Sequence, residues 1–260
     1  QCPNRWECWG QGTATFMIAG EKCTRACGFC AVKTAKPDAL EDDEPQRVAE
    51  ATKRMNLNHI VITAVARDDL KDGGAEHFQK TIEAVRAENP KIIIEVLVPD
   101  FNDKDWALNL VMEARPHIFN PNIETVERLT PLVRSRAQYQ RSLTVLKKAK
   151  EIVDGKVATK SGLMLGLGER EEEVLQAMDD LLEHEVTVLT MGQYLRPSAR
   201  HLPVVEYITP ERFDDLREIA LEKGFRHVAS GPLVRSSYHA GDFRPEEDVL
   251  DAIEADLAAR

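Results

Sequence analysis

The chain has 260 residues, 43% of them hydrophobic by type, enough for one substantial core of the size usual for a single α/β barrel domain. Thirty-four lysines and arginines stand against 44 acids, and the resulting net charge of −10 argues against nucleic acid as a partner. No apolar run approaches the roughly 20 residues that span a bilayer, and the first residues lack a signal peptide's apolar core, so a cytoplasmic protein without a membrane partner is expected.

In chain order, the first feature is a crowd of cysteines: Cys2, Cys8, Cys23, Cys27 and Cys30, with none in the remaining sequence. An odd, clustered set favours metal or redox chemistry over a disulfide framework. Short β-branched runs then alternate with amphipathic stretches. Strands are predicted over 13–19, 59–65, 92–98, 117–121, 160–165 and 186–191. Helices are predicted over 45–56, 74–88, 103–114, 138–153, 171–184 and 210–223, with Asp103 as one start signal and Thr209-Pro210 as another. Six successive βα units are the pattern of repeated units around a parallel sheet.

Polar groups fall just beyond the predicted strands: Arg67-Asp68-Asp69, Pro99-Asp100, Asn120 to Glu124, Gly166 to Glu169 and Gln193-Tyr194. Loops at the C-terminal ends of parallel barrel strands form active sites, so these groups are expected to converge on one cavity. The histidines, including His59, His117, His184 and His239, show no metal-ligand spacing and read as structural or surface residues. Trp6, Trp9 and Trp106 are expected to be packing residues.

Cys23, Cys27 and Cys30 have the spacing C-x3-C-x2-C. Three thiolates so placed can each take one iron of a cubane cluster and leave the fourth iron open to bind and reduce a substrate. Zinc is the alternative, but it takes four tetrahedral ligands, usually in pairs, and no second pair follows. The spacing, with the aromatic Phe29 before the last cysteine, resembles the signature of the radical S-adenosylmethionine (SAM) superfamily. Gly162 to Glu169 is similar to that superfamily's G-x-I-x-G-x-x-E pattern, with Met164 in place of isoleucine and Gly166 where the backbone approaches adenine.

From Cys2 to Ala240 the chain resembles the lipoyl synthase family. The stretches that carry the likeness are CPNRWEC, TATFMIAGEKCTRACGFC, RDDLKDGGAEHF, IEVLVPDF, NIETVERL, KSGLMLGLGE, GQYLRP and GPLVRSSYHA. The resemblance implies an α/β fold, a partial (β/α)6 TIM-like barrel of the radical SAM type. It would occupy 13–225 of a single domain over 1–260, with an auxiliary-cluster extension at 1–12 and a C-terminal segment at 226–260. It also implies two [4Fe–4S] clusters and SAM as cofactors. The first cluster falls to Cys23, Cys27 and Cys30. The second falls to a C-x4-C-x5-C motif, of which Cys2 and Cys8 are the C-x5-C half, and to a serine of Arg235-Ser236-Ser237-Tyr238. Ser237 is the favoured ligand and Ser236 the alternative. The first cysteine of the motif is expected five residues before Cys2, upstream of Gln1.

Further implications are that Asn122 and Glu124 bind the ribose hydroxyls of SAM, and that Arg67 and Asp69 lie near its methionyl end or order a loop. Phe29, Lys160 and Gly166 are expected at the cofactor site, and Arg235 and Ser237 in catalysis. The chain departs from the family at Pro121 and Arg196, where histidine and glutamine are usual. The implied reaction inserts two sulfurs, at C6 and C8, into an octanoyl-lysine of a lipoyl carrier, either a dehydrogenase E2 lipoyl domain or the glycine-cleavage H protein. A donor such as ferredoxin or flavodoxin would supply electrons. The alternatives are another sulfur-inserting enzyme, biotin-synthase-like, and a non-catalytic zinc-binding scaffold.

Overall fold

The computed structural model describes Cys2 and residues 4–259. A short helix α1 (Arg5–Gly10) leads into a seven-stranded sheet of β1 (Thr13–Ile18), β2 (His59–Ala64), β3 (Ile93–Leu97), β4 (Ile118–Phe119), β5 (Ala158–Leu165), β6 (Val188–Gln193) and β7 (His227–Gly231), paired in that order. Every pairing is parallel, from Thr13 opposite His59 at one edge to Val188 opposite His227 at the other. The sheet is therefore the open barrel expected, extended by one strand beyond residue 225. That strand was missed because HVASG offers one buried β-branched residue, Val228, among small and polar neighbours.

Central strands such as β2 (HIVITA) and β3 (IIEVL) are apolar and β-branched, as burial on both faces requires. The covering helices are α2 (Glu44–Arg54), α3 (Ala75–Glu88), α4 (Asp105–Glu113), α6 (Tyr139–Ile152), α7 (Glu171–Glu183) and α8 (Pro210–Lys223), with a one-turn α5 (Thr130–Val133) before α6 and a terminal α9 (Glu247–Ala258). In α8 the Thr209 hydroxyl accepts the Arg212 N–H at 3.3 Å, the cap read from the sequence.

Two boundaries differ from expectation. Strand β4 shrinks to two residues because Pro116 and Pro121 bracket it and neither supplies a ladder N–H. Asp103 does not cap α4. Residues 101–103 take positive φ of 45°, 53° and 60°, and Lys104 is the residue before the helix. That strained turn turns Asn102 toward Asp68 and Arg25, a tertiary contact that overrides the local cap signal. Trp6, Trp9 and Trp106 are 71%, 41% and 45% exposed rather than packed. No helix among the described residues is long and apolar enough to cross a membrane.

Candidate functional site

The loop from Cys23 to Cys30 crosses the C-terminal end of the barrel and is held along its length. Lys22–Cys23 pairs with Lys33–Thr34, the Thr24 N–H reaches the Ala66 carbonyl, and Ala26 N–H reaches Ser135 Oγ. Gly28 donates to the Val133 carbonyl and accepts from Leu202 N–H, so close to Leu202 that a Cβ would come within 2.9 Å of it. The His201 ring sits 3.0 Å from the Cys30 carbonyl.

Beneath the loop lies the buried guanidinium of Arg25, between Cys23 and Cys27 in sequence. It forms a two-point contact with Asp68 at 2.9 and 2.8 Å and reaches Asp100 at 2.7 Å and Asn102 at 3.0 Å. Arg141 closes on the other Asp100 oxygen at 2.8 Å. Burial alone would raise the Asp68 carboxyl, but the Arg25 bonds and charge outweigh it and hold the group at about 2.

Cys23 Sγ accepts backbone N–H groups from Arg25 and Ala66 at 3.4 and 3.3 Å, and the backbone at Ser135 and at Val32 acts in the same sense on Cys27 and Cys30, lowering their thiols against burial. Burial pushes the Cys27 and Cys30 thiols up and the neighbouring cysteines push the same way. Iron binding would relieve both, and N–H donors to sulfur are a means by which proteins tune such clusters. Among the described residues no three His, Cys, Asp or Glu side chains gather as a single-ion site. A cubane has one thiolate on each of three irons, so its ligands stand further apart than those of one ion.

Beside Cys30 opens a cavity of about 350 Å³ walled by Phe29, Leu163, Met164 and Tyr194, with Asn122, Glu124, Thr190 and Gln193 among its polar lining residues. Glu124, at φ +65°, is fixed by a bridge to β5: its N–H donates to Gly162 and its carbonyl accepts from Met164. Burial pushes its carboxyl up, opposed by Arg134 and by the Asn122 amide at 3.1 Å. Asn122 Oδ1 is a buried acceptor without a partner among the described residues, which suits a ligand hydroxyl. The far wall is Val234, Arg235 and Ser236, which approach because β6 has glycine at 192; a Cβ there would collide with the Val234 carbonyl.

A second cavity, of about 460 Å³, is lined by Cys2, Arg5, Cys8, Arg235 and Ser237 with Trp9 and the start of β1. Ser237 thus faces the two N-terminal cysteines, whereas Ser236 faces the first cavity, and Arg235 borders both. Burial raises the Cys8 thiol, partly offset by the backbone of His239. Arg5 stacks over Trp6 and Trp9, at 4.4 and 5.4 Å from the ring centroids. Neither Arg5 nor Arg235 has a carboxylate partner among the described residues, so two guanidiniums are free to balance an anionic cluster.

The predicted site residues therefore divide. Phe29, Cys30, Asn122, Glu124, Arg235 and the Gln193-Tyr194 pair meet at the first cavity, and Cys2, Cys8 and Ser237 at the second. Lys160 goes elsewhere: it is buried inside the barrel, 3.0 Å from Glu95, which His59 and Asn120 also contact. Burial would raise the Glu95 carboxyl, yet Lys160 and His59 hold it at about 2. Arg67 is the loop-ordering alternative, bonded twice to Asp69 at 2.9 Å and to the carbonyls of Ala19 and Asp38. Gly166 lines neither cavity; at φ +97° it turns the chain against Gln193 and Glu206, with its N–H held by Glu169. Sequence reasoning missed Arg25, Arg134 and the pair Glu7 and His239. Of these only Arg25 carried a signal, a cation between two cluster cysteines.

Residues 17–181 match the family model described as Radical SAM superfamily, the class that the open parallel barrel and the three-cysteine loop define. Two solved structures share the fold: methylornithine synthase (PylB), TM-score 0.63 at 13% identity over 94% of this chain and 81% of that one, and Streptococcus suis SuiB bound to S-adenosylmethionine, TM-score 0.64 at 12% identity over 84% and 50%. At that identity they bear on fold alone. Lipoyl synthase of Geobacillus kaustophilus is 56% identical over 256 residues, 98% of this chain and 84% of that protein. Lipoyl synthase of Rubrobacter xylanophilus is 55% identical over 260 residues, 100% of this chain and 79% of that protein. The chain belongs to the lipoyl synthase family, whose cofactors are SAM and [4Fe–4S] clusters.

Proposed function

We propose that this enzyme inserts two sulfur atoms, at C6 and C8, into an octanoyl-lysine of a lipoyl carrier protein. Its auxiliary cluster is the sulfur donor. The observation that carries this reading is the pair of adjoining cavities, one with the Cys23–Cys30 loop at its edge and one with Cys2, Cys8 and Ser237, sharing Arg235 as a common wall. The carrier is a dehydrogenase E2 lipoyl domain or the glycine-cleavage H protein, and the reductant a ferredoxin or flavodoxin.

When bound, the first cluster and SAM supply a carbon-centred radical and the auxiliary cluster supplies sulfide. The chain's own residues bind and position. Cys23, Cys27 and Cys30 hold the first cluster, and Cys2, Cys8, Ser237 and the expected upstream cysteine hold the second. Glu124 and the free Asn122 oxygen accept ribose hydroxyls, and the Phe29, Leu163 and Met164 wall excludes water from the reactive volume. A serine oxygen is a harder donor than a thiolate and is less well matched to cluster iron, so Ser237 would hold its iron more loosely than a fourth cysteine would.

Ser237 tests the reading. Ser237→Cys should still assemble two clusters and cleave SAM but make little lipoyl product. Mass spectrometry of an octanoyl-lysine peptide beside the 5′-deoxyadenosine yield measures both. Native-rate insertion by Ser237→Cys removes the labile-ligand role, and loss of insertion only on substitution of Ser236 moves the ligand to that residue.

A further inference from the structure

Glu7 immediately precedes Cys8, and the backbone of His239, two residues beyond Ser237, is among the groups that lower the Cys8 thiol against its burial. The side chains of these two residues meet. His239 Nε2 lies 2.7 Å from Glu7 Oε1, and the Tyr238 hydroxyl lies 3.4 Å from the same oxygen. The other His239 nitrogen is 2.9 Å from Asp242, and the Tyr238 and His239 rings overlap with centroids 4.1 Å apart. His239 holds φ +49°, a backbone state that a bulky residue adopts only under external constraint. At the other end of the same segment the buried Asn4 amide donates to the Leu233 carbonyl at 2.7 Å.

Helix α1 has only six residues and no side-chain cap of its own. Such a helix is marginal in isolation. Its seat comes from Asn4 at its start, from the Glu7 contacts in its first turn, and from packing on β1. We propose that Glu7 and His239 are positioning residues: their contact clamps the cysteine-bearing helix onto the 235–238 loop and so sets the separation of Cys8 from Ser237. This rests on the reading of Cys8 and Ser237 as ligands of one cluster. Neither Glu7 nor His239 lines the second cavity, so the clamp acts through the backbone that carries the ligands and not by touching the cluster.

The test needs no cluster. In the metal-free chain, the alkylation rate of each thiol is read by peptide mass spectrometry. Trypsin places Cys8 on a different peptide from Cys27 and Cys30, which report whether the barrel stays folded. Glu7→Ala and His239→Ala should each speed Cys8 alkylation about tenfold and leave Cys27 and Cys30 within twofold. The double variant should be no faster than either single one, because both remove one contact. Glu7→Gln, which keeps an acceptor oxygen, should stay near the wild-type rate.

An unchanged Cys8 rate in both alanine variants overturns the clamp, as does a double variant whose effect is the product of the two. If Glu7→Ala also loosens Cys27 and Cys30, Glu7→Gln decides: wild-type protection of Cys8 supports the clamp, and the loose pattern overturns it. Iron counting on the chain that includes the expected upstream cysteine separates this proposal from the one it rests on. A wild-type protein that binds a single cluster refutes the two-cluster reading whatever the alkylation shows. Two clusters in wild type, falling toward one in Glu7→Ala with SAM cleavage retained, support both.

Discussion

The two cysteine-bearing segments are held in contrasting ways. The Cys23–Cys30 loop is fixed by backbone hydrogen bonds to four separate stretches of chain and by a buried guanidinium shared between two aspartates. The Cys2–Cys8 segment is fixed by one short helix and a few side-chain contacts of mostly exposed residues. The charges differ in the same sense: Arg25 is spent on structure, while Arg5 and Arg235 face their cavity without a carboxylate partner among the described residues. On the proposed function the difference has a cause. A cluster that must survive every turnover needs a rigid mount, whereas one that is dismantled for its sulfide needs ligands that can let go and a seat that can be refilled.

The largest expected effect separates the two mounts outright. Replacing Cys23, Cys27 and Cys30 together by alanine should reduce 5′-deoxyadenosine formation to background while iron remains on the N-terminal site. Continued formation at the native rate after anaerobic reconstitution would assign the radical chemistry to the wrong cysteines.

Next in size is Arg25→Met. Removing one partner of a buried ion pair leaves the other charge uncompensated, typically at roughly 3–5 kcal/mol. About 3 kcal/mol is expected here because Arg141 still reaches Asp100. Denaturant titration of the metal-free chain measures it. Arg5→Met, on the other segment, should change stability by about 0.5 kcal/mol or less, since its contacts are exposed. Equal losses for the two variants would erase the contrast between the mounts.

A smaller effect sharpens the cavity between them. Glu124→Ala should weaken SAM binding by about 1–3 kcal/mol, the usual range for a hydrogen bond to a charged group. Equilibrium binding that is unchanged in a folded variant would leave Glu124 only its bridge to β5.

Much of this was legible from sequence. The βα alternation carried the sheet order, since parallel neighbours need a crossover and each predicted strand was followed by one. The three-cysteine loop was legible from its spacing, because three-residue and two-residue gaps constrain a loop directly, whereas Cys2, Cys8 and Ser237 came together as a set only through the family resemblance. The contacts that hold those sets in place were not legible. Arg25 meets Asp68 and Asp100 across separations of 43 and 75 residues, and Glu7 meets His239 across 232. Nothing local in the sequence encodes such pairs. Lys160 misled for the same reason: a lysine at a strand terminus gives no sign of a buried glutamate on the second strand away, and Glu95 is that glutamate.

The smallest effect concerns acid. Asp68 is held at about 2, below the roughly 3.9 of a free aspartate, so over that interval the unfolded chain binds more protons than the folded one. Its contribution to stability is therefore complete above about pH 4–5 and fades as pH falls toward 2. The full shift would correspond to roughly 2.5 kcal/mol, but Asp68 is partly open to solvent, and screening reduces the expectation to about 1 kcal/mol. Asp68→Asn cannot titrate, so the stability gap between it and the parent chain should narrow by that amount between about pH 5 and about pH 2. Paired denaturant titrations of the metal-free proteins would show it. A gap that stays constant through the interval would mean that the Arg25 contact acts at this position through shape and hydrogen bonding alone, and that the rigidity of the cluster loop owes little to the charge of Asp68.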